Sequence, residues 1–187
     1  GRHGAEGRPL WLVDPLDGTK SFVRDTPFFS TQIALLRDGE LVLGVSSACA
    51  CDELACAEKG RGAFLNGRPI RVSAVDRLDA AILSTGNLKS LAASPHWADF
   101  GALVGRVNRL RGYGDFVHYH LLARGALDLV VESDVNILDI AALAVIVREA
   151  GGHFTDLSGG PVGLGTTTVL ASNGLLHPAA QQALRYP

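Results

Sequence analysis

Methionine is absent from this chain, which therefore lacks even an initiator, and Gly1 opens directly onto a loop-like Arg2-His3-Gly4. Both facts read as the mark of an upstream segment lost or cut away. Cysteine is nearly absent too. The three that occur, Cys49, Cys51 and Cys56, crowd into one apolar stretch with no second ligand pair and no His nearby. That argues against a zinc site and for buried free thiols in a reducing compartment. No excess of positive charge exists either. Seventeen Lys and Arg stand against 19 Asp and Glu, a formal net charge of −2, which removes the electrostatic case for a nucleic-acid partner. The longest apolar run without a charge, Ile140 to Val147, is far too short to cross a bilayer. No charged segment followed by an apolar one opens the chain, so no secretory signal is read. The expectation is a cytoplasmic protein with no membrane partner.

What is present is enough apolar material for a sizeable core: 187 residues, 47% of them hydrophobic, suit one large domain or two closely packed halves. The first half reads as strands. Leu10 to Val13 is a short apolar run, and Phe29, Thr31, Ile33 and Leu35 alternate with Ser30, Gln32 and Ala34. Asp38-Gly39 is a hairpin turn that returns as Leu41 to Val45, and Asn66-Gly67 repeats the device between residues 63–65 and 69–72. Near Ile82 the character changes. Pro95 to Val107 and Phe116 to Arg124 read as helices, and Leu127 to Val131 as a buried strand. Asn136 can cap a helix running to Ala150, whose positions 140 to 147 are apolar all round and so belong between layers. Thr168 to Ala171 is a last strand and Pro178 to Leu184 a last helix. The expected division is an antiparallel half over residues 1–82 and an α/β half over 83–187.

Chemistry concentrates at Trp11-Leu12-Val13-Asp14-Pro15-Leu16-Asp17-Gly18-Thr19. An apolar strand delivers two carboxylates into a turn that Pro15 stiffens. Two carboxylates held close repel each other, and burying them unpaired costs several kcal/mol, so they ask for a cation. Hard oxygen ligands suit Mg²⁺. Gly18 and Thr19, where a helix can begin, offer N–H groups to an anion. A turn in which Asp14 and Asp17 merely cap a helix is the plainer alternative. The aspartyl-phosphate phosphatases also end a motif in Asp-Gly-Thr, but they space their two acids two residues apart, where this chain spaces them three.

This nine-residue segment resembles the first metal motif of the inositol monophosphatase family. Leu138-Asp139-Ile140-Ala141-Ala142, followed by Glu149-Ala150-Gly151-Gly152, resembles the second, and residues Gly60 to Gly67 resemble the family's glycine hairpin. The likeness runs from Trp11 to the C-terminus. It implies a layered αβαβα sandwich, of α/β (α+β) class and here without its first helices. It implies Asp14, Asp17 and Asp139 as Mg²⁺ ligands with the Leu16 carbonyl, and Asp14, Asp17 and Thr19 as the catalytic set. It also implies Gly18 and Thr19 as the phosphate cradle, and Glu132 and Asp115 as substrate contacts. Each of the last three acids has a plainer alternative: Asp139 as part of a capping box, Glu132 as a strand-end acid, Asp115 as a helix cap.

Two departures stand out. Leu138 replaces the usual Trp before the metal Asp. The family also supplies a ligand and base from a Gly-Glu-Glu stretch upstream of the first motif, where this chain has only Glu6, in a segment expected to be mobile. The expected base is therefore missing. His118 and His120, two apart on a helix, face apart and cannot chelate together. The implied activity is Mg²⁺-dependent hydrolysis of a small polyol or amino-alcohol phosphate by direct attack of water, in a homodimer. Lys20 and the Arg111–Asp115 segment resemble the histidinol-phosphatase side of the family, while Glu132 fits polyol phosphates. The alternative is a non-catalytic fragment or pseudo-enzyme serving as an interaction subunit. The missing Glu favours that alternative, and the retention of Asp14, Asp17, Thr19 and Asp139 opposes it.

Overall fold

The computed structural model describes residues 9–186, and Glu6 lies outside them. Strand β1 (Leu10–Asp17) leads through the one-turn helix α1 (Thr19–Val23) into β2 (Ser30–Arg37), β3 (Glu40–Ala48), β4 (Glu53–Glu58), β5 (Ala63–Leu65) and β6 (Arg68–Ile70). These six strands form an antiparallel meander in chain order. The turns are those that the sequence asks for. Asp38 and Gly39 have φ of 51° and 78°, and Asn66 and Gly67 of 50° and 74°, the paired positive angles whose twist matches flanking strands. Strand β4 carries no legible alternation. Its inward positions are the small Ala55 and Ala57, buried because a helix lies close above them.

The second sheet has five strands in the order β10-β11-β9-β7-β8. Strand β7 (Ile82–Thr85) is followed by helices α2 (Lys89–Ala92) and α3 (Trp97–Val104), then by β8 (Arg109–Arg111), α4 (Asp115–Ala123) and β9 (Leu129–Ser133). Helix α5 (Ile137–Glu149), β10 (His153–Thr155), β11 (Thr168–Ser172) and α6 (His177–Leu184) complete the described chain. β7 runs parallel to β8 and β9; the other pairs are antiparallel. The helix expected over Pro95–Val107 is shorter at both ends. Ser94 and Pro95 form a turn, and beyond Gly105 the N–H groups of Arg106 and Val107 both fold back onto Leu103 O.

α5 is the keystone between the layers. Residues Ile140 to Val147 are all buried, packed on β1 to β5 on one side and on α4 and β10 on the other. Fully burying Ile140, Leu143 and Ile146 contributes about 1.5–3 kcal/mol each. The approach to β3 is so close that a Cβ on Gly44 would lie 2.3 Å from Ala142 O. At the far end of α5, Glu149 accepts from the N–H groups of Gly60 and Gly62 at 3.0 and 2.9 Å. The glycine hairpin and the Glu-Ala-Gly-Gly segment thus anchor each other. Between the sheets, buried Asp128 accepts from Ser73 Oγ and Ile82 N, and Asn173 Nδ2 donates to Val75 O, tying down the crossing segment.

The opposite face of the first sheet carries Trp11, Val13 and Leu54, all exposed. The cysteines correct one expectation. All are free, but Cys49 and Cys51 are exposed on a 3₁₀ turn that connects two strands, and Cys56, on β4 between the inward Ala55 and Ala57, is only partly covered.

Candidate active site

Two residues three apart on a regular strand point to opposite faces. Asp14 and Asp17 do not, because β1 bulges between them: Asp14 pairs with Gln32 and Asp17 with Ser30, two residues apart on β2. The extra residue turns both carboxylates to the face that α5 covers. Asp14 Oδ1 accepts from Leu16 N at 2.9 Å, which tightens the turn. Gly18 then leaves the strand with φ 77°, where a Cβ would fall 2.4 Å from Phe28 O. Thr19 opens α1 and donates Oγ1 to Leu16 O at 2.8 Å, so the carbonyl named as a ligand already holds one hydrogen bond and keeps a second lone pair.

Asp139 arrives from the other half of the chain. At the start of α5 its Oδ2 accepts from Asn136 N at 2.9 Å, and Asn136 Oδ1 accepts from Leu138 N at 2.8 Å. The capping box is therefore real, and it aims the same carboxylate at β1. Asp14, Asp17 and Asp139 each bring an oxygen to within 4.8 Å of the others. Leu138, in the place of the family's Trp, is partly exposed and adds no ligand.

The carboxylates carry the electrostatic signature of a cation site. Burial, then the charge of Asp115, pushes Asp17 up to about 7, against a hydrogen bond from Ser30. Burial also raises Asp139, with the Asp14 charge adding to it. Three hard oxygen donors repelling one another at this range fit a divalent cation such as Mg²⁺.

Beside them, Asp17, Asp139, Asp115, Glu132, Asn87 and Tyr119 line one small cavity. Asp115 does not cap α4. Gly114 holds the cap position, Asp115 has φ 46°, and its Oδ2 accepts from Ser21 Oγ at 3.3 Å. Burial raises its carboxyl. Glu132 is 4% exposed, and burial alone would raise it; the neighbouring His118 charge, with hydrogen bonds from Tyr119 and Asn87 N, outweighs burial and holds it low. Tyr119 and Asn87 went unread in the sequence. Ser84-Thr85-Gly86-Asn87, at the carboxyl end of a strand with parallel neighbours, was the signal that could have found Asn87. The two histidines do face apart. His118 Nε2 lies 3.2 Å from Glu132 Oε2, while His120 turns to Glu53 and Ser46 on the first sheet.

Fold and site together define a layered α/β protein in which three carboxylates able to hold a metal ion converge at the junction of its sheets. The chain belongs to the inositol monophosphatase family, which it matches over residues 1–186. It is 46% identical over 174 residues to a histidinol-phosphatase of Mycobacterium tuberculosis, covering 89% of this chain and 66% of that one. It is 38% identical over 178 residues to a fructose-1,6-bisphosphatase/inositol-1-monophosphatase of Thermotoga maritima, covering 92% and 66%. An inositol monophosphatase structure from Zymomonas mobilis superposes with a TM-score of 0.89 at 31% identity, covering 97% of this chain and 72% of that one. The chain thus spans about two thirds of the length of these curated relatives, 66% in each case. No helix among the described residues is long and apolar enough to cross a membrane.

Proposed function

We propose that this chain carries the metal and substrate face of a Mg²⁺-dependent phosphate monoester hydrolase acting on a small amino-alcohol or polyol phosphate. The observation that carries the reading is the convergence of Asp14, Asp17 and Asp139 from two distant segments, beside the Gly18-Thr19 turn. These three carboxylates, with the Leu16 carbonyl, would hold Mg²⁺. A cation held there would supply polarisation of a phosphoryl oxygen and activation of an attacking water. Thr19, its hydroxyl proton committed to Leu16 O, presents lone pairs that accept from that water and orient it. The N–H groups of Gly18 and Thr19 face the phosphate.

Glu132 and Asp115 take the alcohol portion of the substrate. A carboxylate kept ionised by His118, Tyr119 and Asn87, with Asp115 lining the same cavity, favours a leaving group that brings a cation or several hydroxyls. Likeness to a protein named histidinol-phosphatase supports the amino-alcohol member of that pair. The exposed free thiols Cys49 and Cys51 suit a reducing, cytoplasmic setting, and the apolar face with Trp11, Val13 and Leu54 suits association into a homodimer. Residues 1–82 and 83–187 are taken as the two halves of the molecule, joined by α5.

The test is phosphate release by the full gene product containing this chain, with histidinol phosphate, inositol 1-phosphate and a nucleotide-derived monophosphate. Mg²⁺-dependent release, fastest with histidinol phosphate, is expected. No release from any of the three contradicts the proposal.

A further inference from the structure

A second set of polar side chains lies buried under α4 and α5, outside the carboxylate cluster but joined to it. It crosses four adjacent strands of the first sheet. Ser30 Oγ donates to Asp17 Oδ2 at 3.0 Å. Gln32 Nε2 donates to Ser30 Oγ at 2.8 Å and to Ser46 Oγ at 3.0 Å. Ser46 Oγ meets His120 Nε2 at 2.8 Å, and His120 Nδ1 meets Glu53 Oε2 at 2.8 Å. Arg124 Nη1 closes the far end on Glu53 Oε1 at 3.0 Å. Ser30, Gln32, Ser46 and His120 are each 2% exposed or less. Nothing in the proposed chemistry uses them.

The direction of proton donation along this chain is fixed by its ends. An ionised Asp17, which cation binding requires, can only accept, so the Ser30 hydroxyl donates to it. Ser30 then has only lone pairs left for Gln32, and the amide must turn its NH₂ inward. The same NH₂ also donates to Ser46, whose proton is left to point at His120 Nε2. A neutral His120 then carries its proton on Nδ1, where Glu53 accepts it. One atom is left unsatisfied by this arrangement: Gln32 Oε1 is buried without a partner among the described residues. Turning the amide over would give Oε1 both serine protons, but it would leave Asp17 and His120 Nε2 each facing a lone pair.

We infer that His120, held by Glu53, is a positioning residue for the metal site, acting through Ser46, Gln32 and Ser30 to keep a hydroxyl proton on Asp17. With Oδ2 so occupied, Asp17 offers its other oxygen to the cation. The inference rests on the proposed cation site, and its test separates the two.

Mg²⁺ affinity of the whole protein is measured by calorimetry for the parent, Ser30→Ala, His120→Phe and the double variant. Loss of one hydrogen bond to a charged group corresponds to roughly ten- to a hundredfold weaker binding. Each single variant is expected to show that loss, and the double variant to be no weaker than Ser30→Ala alone, because both act on one proton. Additive losses, or unchanged affinity in His120→Phe, overturn the inference. If the parent itself binds no Mg²⁺, the cation site has failed rather than the relay alone. Should His120→Phe not fold, ¹⁵N NMR of the Mg²⁺-loaded parent decides: His120 protonated on Nδ1 alone supports the relay, and protonation on Nε2 refutes it.

Discussion

Tyr119 donates its hydroxyl to Glu132 Oε2 at 2.7 Å, and both residues are buried, Tyr119 at 1% exposure. A phenol in this position does two things at once: it packs in the core beside Phe154 and holds a carboxylate ionised at the cavity floor. Tyr119→Phe keeps the packing and deletes the bond. The expected result is a stability loss of about 1 kcal/mol and a rise in KM with kcat little changed, measured by urea unfolding and substrate titration. A fall in kcat at constant KM would remove Glu132 from substrate binding.

Asn136 and Asp139 share the capping box, and their variants separate its two duties. Asn136→Ala should lower stability by about 1 kcal/mol while Mg²⁺ binding persists. Asp139→Asn keeps an oxygen for the cap but loses the charge, so Mg²⁺ binding should fall at least tenfold with less cost in stability. Calorimetry and thermal melts on the pair give both numbers. A reversed pattern would assign Asp139 to the helix alone.

Gly44 faces the backbone of α5, and a methyl group there would lie 2.3 Å from Ala142 O with no flexible side chain to yield. Gly44→Ala should cost about 3 kcal/mol or more, through separation of β3 from α5. A melting temperature unchanged from the parent would contradict the close approach.

His177 sits between Thr155 Oγ1 at 3.1 Å and Ser172 Oγ at 3.0 Å. Burial, then the neighbouring His153 charge, pushes it down to about 4. The native state thus refuses a proton that the unfolded chain takes up near pH 6.5. This contribution to stability is complete above about pH 6.5 and is lost as pH falls towards 4. From pH 7 to 4.5 the parent should lose about 2 kcal/mol more than His177→Gln. Parallel unfolding curves at both pH values would exclude His177 as the group responsible.

Much of this molecule was legible in the sequence, for identifiable reasons. Asp38-Gly39 and Asn66-Gly67 announce their hairpins because few other pairs tolerate two positive φ angles. The continuous apolar stretch Ile140–Val147 announces a helix covered on all sides. β4 was not legible, because its inward residues are alanines sized to α5, a helix that arrives much later in the chain. Asp14 and Asp17 were legible as a pair, but their shared direction depends on a bulge that only strand pairing reveals. The polar chain from Ser30 to His120 was invisible, since its members lie on two strands and one helix with no common spacing.

The central claim is a single cation site built from Asp14, Asp17 and Asp139, and calorimetric Mg²⁺ titration tests it most directly. Because burial and neighbouring charge hold Asp17 at about 7, cation binding must expel its proton. Affinity should therefore be full by about pH 8, about half of that at pH 7, and weaker still below, with proton release that depends on the buffer. At pH 8, Asp14→Asn and Asp139→Asn should each weaken binding at least tenfold. Affinity unchanged in both variants, or indifferent to pH between 6 and 8, would contradict the account.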